Sequence, residues 1–194
     1  MKYLETIKIV NGEIKNLNYH LERIKRTIGK ILPINFNIPQ ELCHGIIKCR
    51  IVYDNLSIIK IEYLPYTMPI IKTLRLIEQP NINYKYKYED RSKINELKLN
   101  CVPFEDILIT QNGFITDTSF CNIVLKNKQG FLFTPSTPLL NGTKRQQLLN
   151  DGLLQSTTIT IGDLPNYTHI YLINAMIDLT SLGSLTEVFA EHFG

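Results

Sequence analysis

The chain has 194 residues, 44% of them hydrophobic and 20% charged, with a formal net charge of +3. That length buries a core and holds one large or two small domains, and the composition is that of a folded soluble protein. The slight positive charge does not point to nucleic acid, and no apolar run approaches the ~20 residues that span a bilayer. Cys43, Cys49, Cys101 and Cys121 form no Cys-x-x-Cys pair, which argues against a zinc site and for free thiols in a reducing cytoplasm. Met1 leads straight into a mixed polar strand, with no signal peptide expected.

Residues 2–10 alternate enough to suit a strand, and Asn11-Gly12 is a hairpin-type turn. Asn18 reads as a helix cap, with Leu21, Ile24, Ile28 and Ile31 at helical spacing over 19–31. His20 and Arg23 share a face of that helix. Arg23 is either a solvated surface arginine or an anion clamp pointing into a cleft. A short helix is expected over 40–48, then strands over 49–54, 57–64 and 70–78, with the stretch from Pro80 to Asn83 as a linker.

The segment Tyr84-Lys-Tyr-Lys87-Tyr-Glu-Asp-Arg91 is peculiar in composition. If extended, it puts tyrosines on one face and lysines on the other. It reads as an edge strand guarded by lysines, as an aromatic and basic strand for single-stranded nucleic acid, or as the site of a catalytic lysine. A short helix over 92–100 and a strand over 104–110 follow.

Asn112-Gly113 is a tight-turn signal, and residues 114–126 are rich in strand formers. Asp117 lies within that run and must either face solvent or have a partner. A return strand at 131–134 precedes Pro135, and Asn141-Gly142-Thr143 opens a helix. That opening is either a plain cap or an anion cradle made by unpaired N–H groups, with Gly142 permitting close approach. Strands are expected at 157–161 and 169–173, with a last apolar series of Ile177, Leu179, Leu182, Leu185 and Phe189.

Four of these pieces, in order, resemble the class IV aminotransferases, the fold-type IV pyridoxal-phosphate enzymes. They are Glu5-Thr6 with Asn11-Gly12 and His20-x-x-Arg23; Lys87-x-x-x-Arg91; Gly113-x-Ile-Thr-Asp117-x-x-x-x-Asn122-Ile; and Thr134-Pro135 with Leu140-Asn-Gly142-x-x-Arg145. The Lys-x-x-x-Arg spacing and the pair Asn174-Ala175 are closest to 4-amino-4-deoxychorismate lyase. Two departures stand out. The family's usual strand and Gly-Asp-Gly turn ahead of the Glu-Thr block have no counterpart here, and Asp117 stands where the family mostly has Glu.

The resemblance implies a two-domain α/β fold like that of D-amino acid aminotransferase. Residues 1–80 would form a small amino-terminal α/β domain. Residues 81–194 would form a pseudo-barrel domain carrying the cofactor lysine and the phosphate loop. It implies pyridoxal 5'-phosphate as cofactor, a small-molecule substrate and a homodimer. Lys87 would hold the cofactor as a Schiff base and then move the substrate's α-proton, with Lys85 as the rival position. Asp117 would pair with the pyridine nitrogen, and Asn122 would be a further cofactor-binding residue. Arg23, Gly142, the N–H groups of Thr143 and Lys144, and Asn174 with Ala175 would hold the phosphate. The expected reaction is release of pyruvate from 4-amino-4-deoxychorismate to give 4-aminobenzoate. Transamination of branched-chain or D-amino acids is the alternative, and single-strand binding without a cofactor the remote one.

Overall fold

The computed structural model of the protein describes residues 1–42, 44–184 and 188. They group into two compact units, Met1–Met68 with Tyr86–Asp90, and Pro69–Lys85 with Arg91–Gly194. Residues 69–80, expected in the amino-terminal domain, group with the second unit, and residues 86–90 group with the first.

The first unit is an antiparallel sheet with one helix. Strands β1 (Tyr3–Val10), β2 (Glu13–Ile14), β3 (Ile46–Tyr53) and β4 (Ile58–Pro65) lie in the order β2-β1-β3-β4. Asn11 and Gly12 both take positive φ, 49° and 81°, as a two-residue hairpin between twisted strands requires. Alternate residues of β1 and β3, Ile7, Ile9, Ile47, Cys49 and Ile51, make one buried core. Helix α1 (Leu17–Ile28) buries Ile24 with Leu32 and Tyr53 in a second cluster.

Four expectations are corrected in this unit. Asn16, not Asn18, precedes α1, and the helix stops at Gly29 rather than running to 31. Gly29 takes φ 78° and its N–H closes on the Lys25 carbonyl at 2.8 Å, which leaves Ile31 exposed beyond the stop. The helix expected over 40–48 is one 3₁₀ turn, Gln40–Leu42, because the β-branched pair Ile46-Ile47 is drawn into β3 opposite Val10 and Ile9; Cys43 lies outside the described residues. Tyr86–Asp90 is no edge strand either. It touches β1 through a single bridge, Tyr3 to Tyr88, with Leu4 N–H donating to the Lys87 carbonyl at 2.8 Å and Glu89 N–H to the Lys2 carbonyl at 3.0 Å. The tyrosines do gather: the Tyr3 ring lies 5.6–6.1 Å from those of Tyr53, Tyr88 and Tyr86.

The second unit is rich in sheet. It contains β5 (Thr73–Glu78), α2 (Ser92–Leu97), β6 (Glu105–Gln111), β7 (Phe114–Thr118), β8 (Asn122–Asn127), β9 (Leu132–Pro135), α3 (Thr143–Asn150), β10 (Gln155–Thr157), β11 (Tyr167–Ile173) and β12 (Thr180–Ser184). The sheet runs β10-β9-β8-β7-β6-β5, and β11 joins it by pairing with β8 and β12. The β5/β6 and β9/β10 pairs are parallel.

The single strand expected over 114–126 is two. The chain doubles back after Thr118, whose N–H donates to the Cys121 carbonyl (2.9 Å) and whose hydroxyl accepts from Cys121 N–H (3.0 Å). This leaves β7 and β8 with one paired position, Asp117 opposite Asn122. The strand expected over 157–161 ends at Thr157, and Ile161–Asn166 is 3₁₀, opened by a reciprocal Thr160/Asp163 capping box. Of the last apolar series, Leu182 belongs to β12, while Leu185 and Phe189 lie outside the described residues. Among the described residues no helix is long and apolar enough to cross a membrane.

Candidate active site

Asp117 closes the β7 side of the hairpin and is buried, 5% exposed, so the solvent-facing reading does not hold. Its Oδ1 accepts from Asn122 Nδ2 at 2.7 Å and its Oδ2 from Leu140 N–H at 2.8 Å. Asn122 Nδ2 also donates to the Leu140 carbonyl at 2.9 Å. Burial drives the Asp117 carboxyl up to about 7 against the opposing pull of the Leu140 and Asn122 hydrogen bonds and the Arg145 charge. A buried carboxyl with spare acceptor capacity is suited to a cationic N–H.

Gly142 precedes α3 with an ordinary extended backbone (φ −69°, ψ 146°), so positive φ is not what requires glycine here. A Cβ at this position would sit 2.0 Å from Asn122 Oδ1. Close approach is indeed the reason for the glycine, but the neighbour is the asparagine that braces Asp117. Thr143 opens the helix, and among the described residues its Oγ1 is buried with no hydrogen-bond partner. The first turn of α3 adds N–H groups that have no intrahelical acceptor. The Lys144 side chain is engaged elsewhere, 2.6 Å from Asp178 and 3.1 Å from Gln147.

Asn174 turns its amide inward: Oδ1 accepts from the N–H groups of Met176 and Ile177 (2.8 and 2.9 Å), and Nδ2 donates to the Phe120 carbonyl at 3.3 Å. It ties the turn containing Ala175 to the turn between β7 and β8. Arg145 plays a similar part that the sequence reading left unassigned. It is buried and donates to Thr134 Oγ1, Asn141 Oδ1, the Pro135 carbonyl and Ser156 Oγ, which holds the end of β9 against the loop entering α3. The spacing Thr134-Pro135…Arg145 was the available signal.

In the first unit, Arg23 is no surface residue but is 5% exposed. It makes a two-point contact with Glu5, Nε to Oε1 at 2.8 Å and Nη2 to Oε2 at 2.6 Å. His20 Nδ1 lies 2.5 Å from the same Oε2. Burial opposes the Glu5 charge, yet Arg23 and the hydrogen bonds from His20 and Arg23 outweigh it and hold the carboxyl down to about 2. Arg23 is an expected site residue, whereas Glu5 and His20 carry no expected role; the signal for them is a carboxylate at an inward strand position. Lys87 is partly buried in the segment laid along β1. Each unit therefore carries its own group of expected residues: Arg23 and Lys87 in the first, and Asp117, Asn122, Gly142, Thr143, Lys144, Asn174 and Ala175 in the second.

A chain with a sheet-rich unit, carrying a carboxylate hairpin and a helix-opening loop, and a smaller α/β unit has the architecture of the fold-type IV pyridoxal-phosphate enzymes. The chain belongs to the amino-transferase class IV family, whose sequence pattern it matches over residues 80–185. Members are pyridoxal-phosphate enzymes, transferases or lyases. The chain is 37% identical over 182 residues to an uncharacterised protein of Haemophilus influenzae, covering 89% of this chain and 96% of that one. Its structure is similar to that of a candidate 4-amino-4-deoxychorismate lyase from Haemophilus somnus, with a TM-score of 0.80, 29% identity, and coverage of 92% of this chain and 97% of that one. A candidate amino-acid aminotransferase from Mesorhizobium loti shares the fold at 18% identity, with a TM-score of 0.75 over 93% of this chain and 97% of that one.

Proposed function

We propose that this chain is a pyridoxal-phosphate enzyme of the 4-amino-4-deoxychorismate lyase type, releasing pyruvate and forming 4-aminobenzoate. The likeness to the Haemophilus somnus protein along nearly the whole of both chains carries this reading. The Lys87-x-x-x-Arg91 spacing and the Asn174-Ala175 pair support it.

The residues present fit the cofactor. Thr143 Oγ1 is a buried donor with no partner among the described residues, at the opening of a helix, where a phosphate supplies acceptor oxygens. The N–H groups of Thr143 and Lys144 would join it, with Ala175 next in sequence to Asn174, and Arg23 of the first unit is the cationic residue expected for the phosphate. Asn174 acts by holding its turn in place. Asp117, fixed in direction by Asn122 and Leu140, would pair with the ring nitrogen. When bound, pyridoxal phosphate supplies an electron sink to the substrate's amine-bearing carbon.

Lys87 would hold the cofactor through its Nζ and would serve as the base for the substrate's α-proton. Asp117, as a carboxylate, would favour a proton on that nitrogen. Arg23 is oriented by its two-point contact with Glu5, which would lower the side-chain entropy lost on binding an anion. The substrate's enolpyruvyl group leaves as pyruvate while its ring becomes aromatic.

The test is turnover by protein loaded with pyridoxal phosphate. The lyase reading expects 4-aminobenzoate and pyruvate in equal amounts from 4-amino-4-deoxychorismate. Turnover of a branched-chain or D-amino acid with 2-oxoglutarate, and none of aminodeoxychorismate, would replace the lyase by an aminotransferase. The resemblance also supports a homodimer, and a monomer mass by sedimentation would remove it.

A further inference from the structure

Two tyrosines flank Lys87 and have no part in the assignment above. Tyr86, Lys87 and Tyr88 form a γ-turn: Tyr88 N–H donates to the Tyr86 carbonyl at 2.9 Å, with Lys87 at the apex. Among the described residues the non-glycine positions at positive φ are Asn11, Asn16, Phe104 and Asn112, so this turn is of the inverse, unstrained kind. The Lys87 carbonyl accepts from Leu4 N–H at 2.8 Å, and Tyr88 is bridged to Tyr3. The peptide groups on both sides of the Lys87 Cα are thus hydrogen-bonded, which fixes the direction in which the side chain leaves the backbone.

A three-residue turn closed by one hydrogen bond does not offset the entropy of ordering its residues, so side-chain packing must hold it. Here the packing is aromatic. Tyr88 stacks on Tyr3 with ring centroids 5.7 Å apart and planes at 30°. Tyr86 meets both rings edge-on at 82°, 6.1 Å from Tyr3 and 6.0 Å from Tyr88. These are the stacked and edge-to-face arrangements that aromatic pairs favour. Tyr3 in turn rests on Tyr53, 5.6 Å away, which is 1% exposed in the core it shares with Ile24 and Leu32. The turn is clamped through its two rings and Tyr3 to a fixed ring of the core. Lys85, two residues earlier, is exposed and groups with the second unit, where its neighbour Tyr84 packs against Ile107, Ile109 and Leu139.

We propose that Tyr86 and Tyr88 are positioning residues for Lys87. Packed on Tyr3, their rings hold the γ-turn that aims the lysine side chain, and so make Lys87 rather than Lys85 the lysine that attaches the cofactor. The rings do this and the hydroxyls do not. The proposal rests on the assignment of Lys87 made above.

Two double variants test it. Tyr86→Leu/Tyr88→Leu keeps apolar bulk and removes the rings, whereas Tyr86→Phe/Tyr88→Phe keeps the rings and removes the hydroxyls; circular dichroism should show the fold retained in both. The first measurement is amide hydrogen exchange in cofactor-free protein. Exchange of Leu4 N–H, the donor to the Lys87 carbonyl, should quicken on the order of tenfold in the leucine variant, as loss of aromatic pairs of this geometry requires. Amides within the β1/β3 pairing should exchange as before, and the phenylalanine variant should match the unmodified protein. The second measurement is the rate and site at which borohydride fixes pyridoxal phosphate, read by peptide mass spectrometry. In the leucine variant the rate at Lys87 should fall roughly a hundredfold, the loss expected of a displaced reacting group, and the share on Lys85 should rise. The phenylalanine variant should label Lys87 at the unmodified rate. The same site and rate in the leucine variant as in the unmodified protein overturn the proposal, and so does an equal loss in the phenylalanine variant, which would give the role to the hydroxyls. If instead the unmodified protein is labelled at Lys85 or at no lysine, the assignment of Lys87 fails, and the exchange of Leu4 N–H still decides whether the rings hold the turn.

Discussion

Two buried carboxylates in this chain meet opposite fates, and partners decide which. Glu5 has a guanidinium at two-point contact and an imidazole, so it stays charged down to about 2. Asp117 has two neutral donors in direct contact, and burial wins, raising it to about 7. The signs for stability are opposite. Glu5 is lowered from 4.5, so its contribution is present above that pH and is lost as pH falls toward 2. Asp117 is raised from 3.8, so the apoprotein is favoured below that pH and loses this contribution as pH rises through about 7. Cofactor-free protein melted across this range should therefore lose stability from about pH 4 to pH 7, by a few kcal/mol. Asp117→Asn should remove that slope, and an unchanged slope would place the titration elsewhere. Glu5→Gln removes the charge that Arg23 meets at two points and should cost about 3–5 kcal/mol at neutral pH, read from denaturant midpoints.

At the level of elements, the decisive feature is a turn that sequence periodicity did not show. Residues 114–126 carry an unbroken run of strand formers, but Thr118 bonds Cys121 at both backbone and hydroxyl and folds the run into a hairpin. Only that fold sets Asn122 opposite Asp117. Both Asn-Gly turns were legible because their chemistry is local: each residue accepts positive φ cheaply. Helix α1 was legible from its apolar spacing, but its end was not, since Gly29 was read as an interior residue when it is the stop. The role of Gly142 could not be read from sequence, because what it accommodates is a side chain twenty residues earlier. Gly142→Ala should push Asn122 off Asp117. The strain should cost about 1–3 kcal/mol, with weaker retention of pyridoxal phosphate, and an unaltered melting temperature would show that Asn122 yields freely.

Over the whole molecule, the sequence motifs fall into groups that the chain order conceals. Lys87 sits in a five-residue segment that belongs with the first unit, while the residues on either side of it belong with the second. Motif order alone gave the family, and the match over 80–185 agrees. The charge environment of each expected residue depended instead on partners distant in sequence, such as Glu5 for Arg23 and Leu140 for Asp117. The most direct measurement is to incubate purified protein with pyridoxal phosphate, reduce with borohydride, and locate the modified lysine by peptide mass spectrometry. The account predicts a pyridoxyl group on Lys87, absent after Lys87→Ala with the fold retained by circular dichroism. A pyridoxyl group on Lys85 or elsewhere, or its persistence in Lys87→Ala, would contradict it.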